Sequence, residues 1–341
     1  MQRNTFHRFG FASLIAVALA WTVGPIDAAR GDDARFSWKV DEKAGTADLV
    51  CGDQPVIRYM FAYDTSSLER IHEAYKIFHH VFGPGTKTLI TKGAGGHFPH
   101  HRGLYAAWNK TSYEGGSADF WHCGINLKAV GPFDSQRHIK IVSQSADGKQ
   151  GSMTSEIHWI DKKDQLIVVE TRTISVSKYA TDSAPGYGWQ IDWSTKLDSR
   201  KGVITLDGDR QHAGFQFRAA QEVADKNSAR YVRPSGFPED PKAFEVDDRK
   251  DPNGHINLGW LAMTYEVDGQ RFTAEYFEDP SLPKPSRYSE RPYGRFGAFF
   301  QTKIEPEKPL VMKYRVNVSA GATPSREAIQ KRFDGFAGGQ K

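Results

Sequence analysis

From residue 35 onward, apolar and polar positions alternate in many short runs, the period expected of strands that bury one face. The runs are 35–40, 56–63, 104–108, 120–127, 153–160, 166–176, 189–197, 260–266, 272–277 and 310–318. They carry the β-branched and aromatic residues that fit a pleated, half-buried surface. Asp147-Gly148, Asp207-Gly208 and Asp268-Gly269 punctuate them as hairpin turns do. Strands in this number without a βαβ rhythm predict an all-β chain, a large antiparallel β-sandwich. A helix is predicted over 325–333, with Thr323-Pro324 before it and Gly335 beyond. Residues 66–73 read as a loop or short helix and 76–82 as extended. The polar, proline-containing stretch 227–257 reads as a long surface excursion, and no internal repeat suggests a propeller or solenoid.

The one long apolar run, 11–23, follows Arg3, His7 and Arg8 and ends in Ile26-Asp27-Ala28-Ala29. This is the layout of a secretory signal, so residues 1–29 are expected to be a leader and 30–341 a single exported domain, periplasmic or secreted. The run is short for a bilayer span, and no stable membrane span is expected. Without residues 1–28, which hold Arg3, Arg8 and Asp27, the net charge falls from +4 to +3. Lysine and arginine are scattered, which argues against a nucleic-acid partner. With 39% hydrophobic and 25% charged residues, the chain can bury a full core. Two cysteines, Cys51 and Cys123, are expected to be buried free thiols rather than a bridge. There is no G-x-S-x-G elbow, Walker loop, H-E-x-x-H or dinucleotide fingerprint.

Seven of the twelve histidines, His72, His79, His80, His97, His100, His101 and His122, lie between residues 72 and 122. Gly93-Ala94-Gly95-Gly96 leads into His97-Phe98-Pro99-His100-His101-Arg102-Gly103, after which a strand begins. Neighbours at a strand edge point oppositely, so only one of His100 and His101 is expected to face a given cavity. A neutral imidazole there can be an acid, a base or a metal ligand. In a strand over 213–218, Gly214, Gln216 and Arg218 share one face. They then line a cleft or pair with an acid, for which Asp192 is a candidate. Glu278-Asp279-Pro280-Ser281 and Arg291-Pro292-Tyr293-Gly294-Arg295-Phe296 form either a sugar-gripping rim or a solvated loop.

The blocks Thr91 to Leu104, Asp119-Phe120-Trp121-His122, His212 to Arg218, Asp279-Pro280-Ser281 and Tyr293-Gly294-Arg295-Phe296-Gly297 together resemble an exported bacterial family of unknown function labelled "methane oxygenase PmoA". Ile77 departs from the proline expected there and leaves His80 as the matching histidine. The resemblance implies a sandwich similar to the galactose-mutarotase-like supersandwich, a fold common among carbohydrate-acting enzymes. On this basis the chain is expected to be a carbohydrate-active enzyme with a small-molecule or oligosaccharide substrate and no required cofactor or metal. His100 or His101 would act as acid or base, with His122, Asp192 and His212 as candidate partners in proton transfer. Arg102, Trp121, Gln216, Arg218, Asp279 and Arg295 would bind substrate, the arginines holding hydroxyls or a uronate carboxylate. Two other readings remain: a copper-dependent oxidoreductase built on His97, His100, His101 and His122, and a non-catalytic sugar-binding module.

Overall fold

In a computed structural model, residues 34–124, 131–236 and 255–339 are described. Among them, one antiparallel sheet runs in the order β1 (Phe36–Asp41), β2 (Thr46–Cys51), β3 (Gln54–Met60), β4 (Phe78–Val81), β5 (Leu104–Trp108), β13 (Ala213–Arg218), β18 (Arg295–Phe299), β17 (Arg287–Arg291). A second runs β14 (Arg230–Val232), β15 (Trp260–Val267), β16 (Gln270–Glu278), β20 (Leu310–Ala320), β11 (Tyr187–Ser199), β10 (Leu166–Ala180), β9 (Gln150–Ile160), β8 (Ser135–Ala146). A small third sheet joins β19 (Thr302–Ile304), β12 (Ile204–Asp207), β6 (Lys110–Tyr113) and β7 (Gly116–Ala118). The helices are α1 (Leu68–Ala74), α2 (Gln221–Lys226) and α3 (Arg326–Gly338). The fold is thus an all-β antiparallel sandwich with a C-terminal helix.

The two large sheets meet through aromatic residues. Phe215 on β13 lies 4.7 Å from Trp193 of β11 and 4.5 Å from Tyr314 of β20, ring centre to ring centre. His79, from β4, enters the same layer beside Tyr59 and Trp193. Because side chains alternate, Phe215 and Phe217 face this core while Gln216 and Arg218 face outward from the first sheet. Trp193 likewise faces inward, so its neighbour Asp192 points away from the core on the far side of the sandwich. The predicted Asp192–Arg218 pair is therefore corrected: Asp192 binds Arg315 across the β11–β20 ladder at 2.6 and 3.1 Å.

Local chemistry explains the helix ends. Ser67 caps α1 by accepting from the Arg70 N–H, and Ser325 caps α3 through Ala328. Helix α3 outruns the predicted end at 333 because Ile329 and Phe336 pack on Trp260 and Phe277, with Gly335 inside the helix. Residues 120–124 are a turn rather than the start of a strand; 125–130, the rest of that predicted run, fall outside the described residues. The excursion at 227–257 contains β14, paired with β15, and its residues 237–254 are also outside them. The expected leader falls there too, in residues 1–33. Cys51 and Cys123 are both buried and are not joined in a disulfide. No described helix is long and apolar enough to cross a membrane.

Candidate functional site

The outward face of the first sheet, around β5, β13 and β18, is covered by three connections that bring histidines together. Residues 93–103 fold back over the sheet through Gly95 and Gly96 at positive φ, and Phe98 adopts a left-handed φ of 54°. The His101 N–H donates to the Phe98 carbonyl at 2.9 Å and closes the turn. Buried Lys76 ties this turn to the next: its Nζ donates to the carbonyls of His100, at 2.9 Å, and Trp121. Lys92, also buried, donates to the carbonyls of Gly93 and Gly95.

Two further turns use one device twice. In Asp119-Phe120-Trp121-His122, Asp119 Oδ1 accepts the N–H groups of Trp121 (2.9 Å) and His122 (2.8 Å), while Oδ2 holds His122 Nδ1 at 2.8 Å. In Asp209-Arg210-Gln211-His212, Asp209 Oδ1 accepts from the Gln211 and His212 N–H groups at 2.8 and 3.1 Å, and the carboxylate grips His212 Nδ1 at 3.0 Å. Each aspartate thus fixes both its turn and the orientation of the imidazole three residues on. Burial pushes the Asp209 carboxyl upward, but the His212 contacts and backbone N–H groups more than reverse this and hold it at about 2.

The result is a triad. One ring nitrogen from each of His100, His122 and His212 lies within 4.8 Å of the other two, and all three residues are half-buried. His100 Nε2 is buried with no hydrogen-bond partner. His101 lies beside the triad, 4.4 Å from His100 and 5.9 Å from His212 between ring centres, and is itself buried. Burial, reinforced by Lys76 and the neighbouring imidazoles, lowers His100 to about 2. Burial, then His100, Arg295 and Arg218, holds His101 well below the usual histidine range. Both are neutral at physiological pH, which makes them competent ligands and poor stores of a proton. Burial also lowers Lys76 and Lys92 to about 7.

Around the triad, Trp121 stands edge-on to His101 at 5.5 Å and packs on Tyr105 at 4.6 Å. Gln216 Oε1 accepts from Arg295 at 3.1 Å, and Arg295 also reaches Ser289 Oγ at 2.9 Å. Arg218 donates to the Tyr293 carbonyl and lies 4.9 Å from the Tyr293 ring centre. Exposed Phe98 packs on Tyr293 at 4.8 Å, forming an aromatic rim. On the other side of the Asp119 turn is a cleft of about 540 Å³, lined by Asn109, Ser112, Ser117, Asp119, Asp134 and Thr205 among others. Asn109 also reaches Asp209 at 3.4 Å.

Three expected site residues are placed elsewhere or otherwise engaged. Asp192 lies across the sandwich. Asp279 closes its own turn by accepting from the Ser281 N–H and Oγ at 2.9 and 2.7 Å, near the end of α3. Arg102 is fully buried and donates to the carbonyls of His72, Glu73 and Pro99 while stacking on Tyr75 at 4.4 Å, so its guanidinium clamps α1 to the histidine turn. His97 remains exposed, 3.9 Å from Asp225. The anchoring role of Asp119 and Asp209 was not anticipated; the signal for it is the repeated Asp-x-x-His spacing.

Comparison with known proteins gives the lineage. No curated protein matches the chain. Among solved structures, a GH36 alpha-galactosidase, AgaA, from Geobacillus stearothermophilus in complex with raffinose has 7% identity and a TM-score of 0.33, covering 86% of this chain and 40% of that one. A putative kojibiose phosphorylase from human microbiome has 10% identity and a TM-score of 0.27, covering 91% and 33%. This chain thus spans well under half of either. The profile of a family described as of unknown function, DUF6807, matches residues 46–334, and that description does not carry the methane-oxygenase label. Since the match extends from β2 into α3 and includes the whole histidine site, the chain belongs to the DUF6807 family of unknown function.

Proposed function

We propose that the protein is a metal-dependent enzyme that holds a zinc-class transition ion with His100, His122 and His212 and acts on a small, hydroxyl-rich substrate of the sugar class. The observation that carries this reading is the histidine triad itself. Two of its rings have Nδ1 anchored by a carboxylate, and the third is held neutral with Nε2 unpartnered. A carboxylate on Nδ1 selects the tautomer that leaves Nε2 free to ligate and raises its basicity. Three protein ligands with an open fourth position is the arrangement of catalytic zinc, whereas structural sites are closed by four. Tetrahedral bonds of about 2.0–2.1 Å require ligand nitrogens about 3.3 Å apart, so the rings, now within 4.8 Å, need only small rotations.

A metal bound here would supply Lewis acidity and a water that ionises near neutral pH. The chain's own groups would do the rest. His101, neutral and beside the triad, can hydrogen-bond the reacting group. The Phe98–Tyr293 rim offers aromatic faces on which a sugar ring can pack. His100 then serves as a ligand, and of the two histidines expected from the sequence to act as acid or base only His101 is left for that role.

The test is elemental analysis of protein purified without a histidine tag, followed by zinc and copper titration of the wild type and of His100→Ala and His212→Ala. One tightly bound equivalent, lost in both variants, supports the reading. A wild type that takes up neither ion at micromolar concentration refutes it and returns the site to metal-free acid–base chemistry. Copper bound in preference to zinc, with redox turnover, would favour an oxidoreductase.

A further inference from the structure

Beneath the triad, the outward face of the first sheet holds a group of buried polar side chains of which the proposed function uses only His101. Arg218 on β13 lies directly opposite Arg295 on β18 in the ladder, so two fully buried guanidinium groups are cross-strand neighbours. Like charges in this relation repel and are normally selected against. Arg218 Nη1 is satisfied by the Tyr293 carbonyl, but Nε and Nη2, which form one edge of the guanidinium, are buried without a hydrogen-bond partner. Three more unpartnered groups lie on the same face: Tyr105 Oη, Trp121 Nε1 and His101 Nδ1. Their rings form one contiguous set, from Tyr105 to Trp121, to His101, and on to Tyr293 and Arg218. Tyr105 also stands opposite Gln216, two residues from Arg218 along the strand. Lys92 is tied to the same strand, its backbone N–H donating to the Arg218 carbonyl at 3.1 Å.

Buried polar atoms in folded proteins are almost always paired, and a concentration of unpaired donors around a desolvated arginine is costly unless something answers it. The Nε–Nη2 edge presents two parallel N–H groups, the spacing that matches the two oxygens of a planar carboxylate. We propose that Arg218, with Tyr105 and His101 as flanking hydrogen-bonding groups, is the carboxylate-binding subsite of this protein, so that its substrate is an acidic sugar or a similar hydroxyl-rich carboxylate. The inference deepens the proposed function by naming the charge of the substrate; it rests on this face being the substrate site, and not on the metal. It also distinguishes the arginines: Arg102 is committed to backbone carbonyls, whereas Arg218 keeps its bidentate edge for a ligand.

Calorimetric titration of the intact protein with D-glucuronate, D-galacturonate, D-glucose, D-galactose and inorganic phosphate tests this, with and without prior chelation of metal. At least one uronate should bind more tightly than its neutral counterpart by about 10–100-fold, the range of a charge-assisted bidentate contact. Arg218→Lys, which keeps the charge but loses the fork, should abolish most of that preference. Tyr105→Phe removes one hydroxyl, keeps the ring packing and should reduce the preference by a smaller factor; it serves if the Arg218 variant does not fold. Equal binding of acidic and neutral sugars, or a preference untouched by both variants, overturns the proposal. Phosphate binding more tightly than both uronates overturns the carboxylate assignment. Uronate binding that depends on Arg218 in protein that takes up no metal would sustain this inference while refuting the metal centre, so the two can fail separately.

Discussion

Replacing Asp119 by asparagine isolates one atom of the proposed centre. Asp119 Oδ1 accepts two backbone N–H groups at 2.9 and 2.8 Å, and these bonds shape the turn that carries His122. In Asp119→Asn, the amide oxygen must keep that position, because an NH2 group there would face two donors. The NH2 therefore takes the place of Oδ2, 2.8 Å from His122 Nδ1 in the wild type. The ring must then accept at Nδ1 and carry its proton on Nε2, where a metal would bind, or else leave two donors opposed. Loss of such a carboxylate typically weakens metal binding by about 10–100-fold, or about 1.4–2.7 kcal/mol. The turn keeps its two backbone bonds, so the melting temperature of the metal-free protein should barely move. Competition for zinc against a chromophoric chelator measures the affinity, and circular dichroism measures the fold. Asp209→Asn should weaken zinc binding less, since His212 Nδ1 lies 3.0 Å from Oδ1, the oxygen that also accepts the backbone N–H groups, as well as 3.1 Å from Oδ2, and an amide oxygen kept at Oδ1 can still accept from the ring. Zinc affinity unchanged in both variants would refute the anchoring role; a collapse of the metal-free fold would show that the aspartates act on structure alone.

Burial, then the positive charges of Arg58 and Arg102, lowers His80 to about 4. The unfolded chain therefore binds more protons than the native one between about pH 6.5 and 4, stability falls as pH drops through that window by up to about 3 kcal/mol from this residue, and His80→Gln should flatten the decline in acid denaturation curves. Arg102→Lys cannot span the three carbonyls of His72, Glu73 and Pro99 and should cost about 2 kcal/mol or more in denaturant unfolding. Full stability with impaired ligand binding would instead return Arg102 to the substrate. Ile329→Ala, deleting a fully buried contact of α3 with Trp260 and Phe277, should cost about 2–4 kcal/mol; a loss below about 0.5 kcal/mol would mean that the helix is peripheral to the sandwich.

What could be read from the chain follows from what each residue packs against. Strands β9, β10, β11 and the first half of β20 were legible because they bury alternate residues against the opposite sheet, leaving a period of two in the sequence, whereas β15 and β16 are buried at almost every position and were legible from their aromatic and apolar residues. Strand β8 was not: it is a sheet edge, exposed along most of its length, and its Ser, Gln, Lys and Arg residues carry little apolar period. Phe120, Trp121 and Cys123 misled in the opposite direction, since all three are buried by a turn rather than by a pleat. At the site, histidine density between 72 and 122 located two members of the triad, but composition could not separate His79, which lies in the aromatic core, from His100. The outward face of β13 was also legible from alternation. The partner of its arginine was not, because nothing local tells which sheet will carry Asp192.

The origin of the triad has a thermodynamic consequence. His100 comes from the β4–β5 connection, His122 from the connection after β7, and His212 from the turn before β13, so the ligands meet only when the first sheet and the small third sheet are assembled. The unfolded chain has no such site, and any metal bound by the three rings adds its binding free energy to folding, by RT ln(1 + [metal]/Kd). Metal at 100 times its dissociation constant would thus stabilise the protein by about 2.7 kcal/mol. Charge sets a second condition on the same assembly. Asp119 and Asp209 together would offset a divalent ion, whereas the hydrogen bonds of Arg102 and Arg218 go to carbonyl oxygens. The positive charge of these arginines would then be left over once a metal was balanced, and an anionic substrate would relieve it at the moment of binding. A neutral substrate would leave that repulsion in place. Occupancy of the two sites is then additive in stability to the extent that they are electrostatically independent, which simultaneous titration of metal and uronate would measure as a coupling free energy.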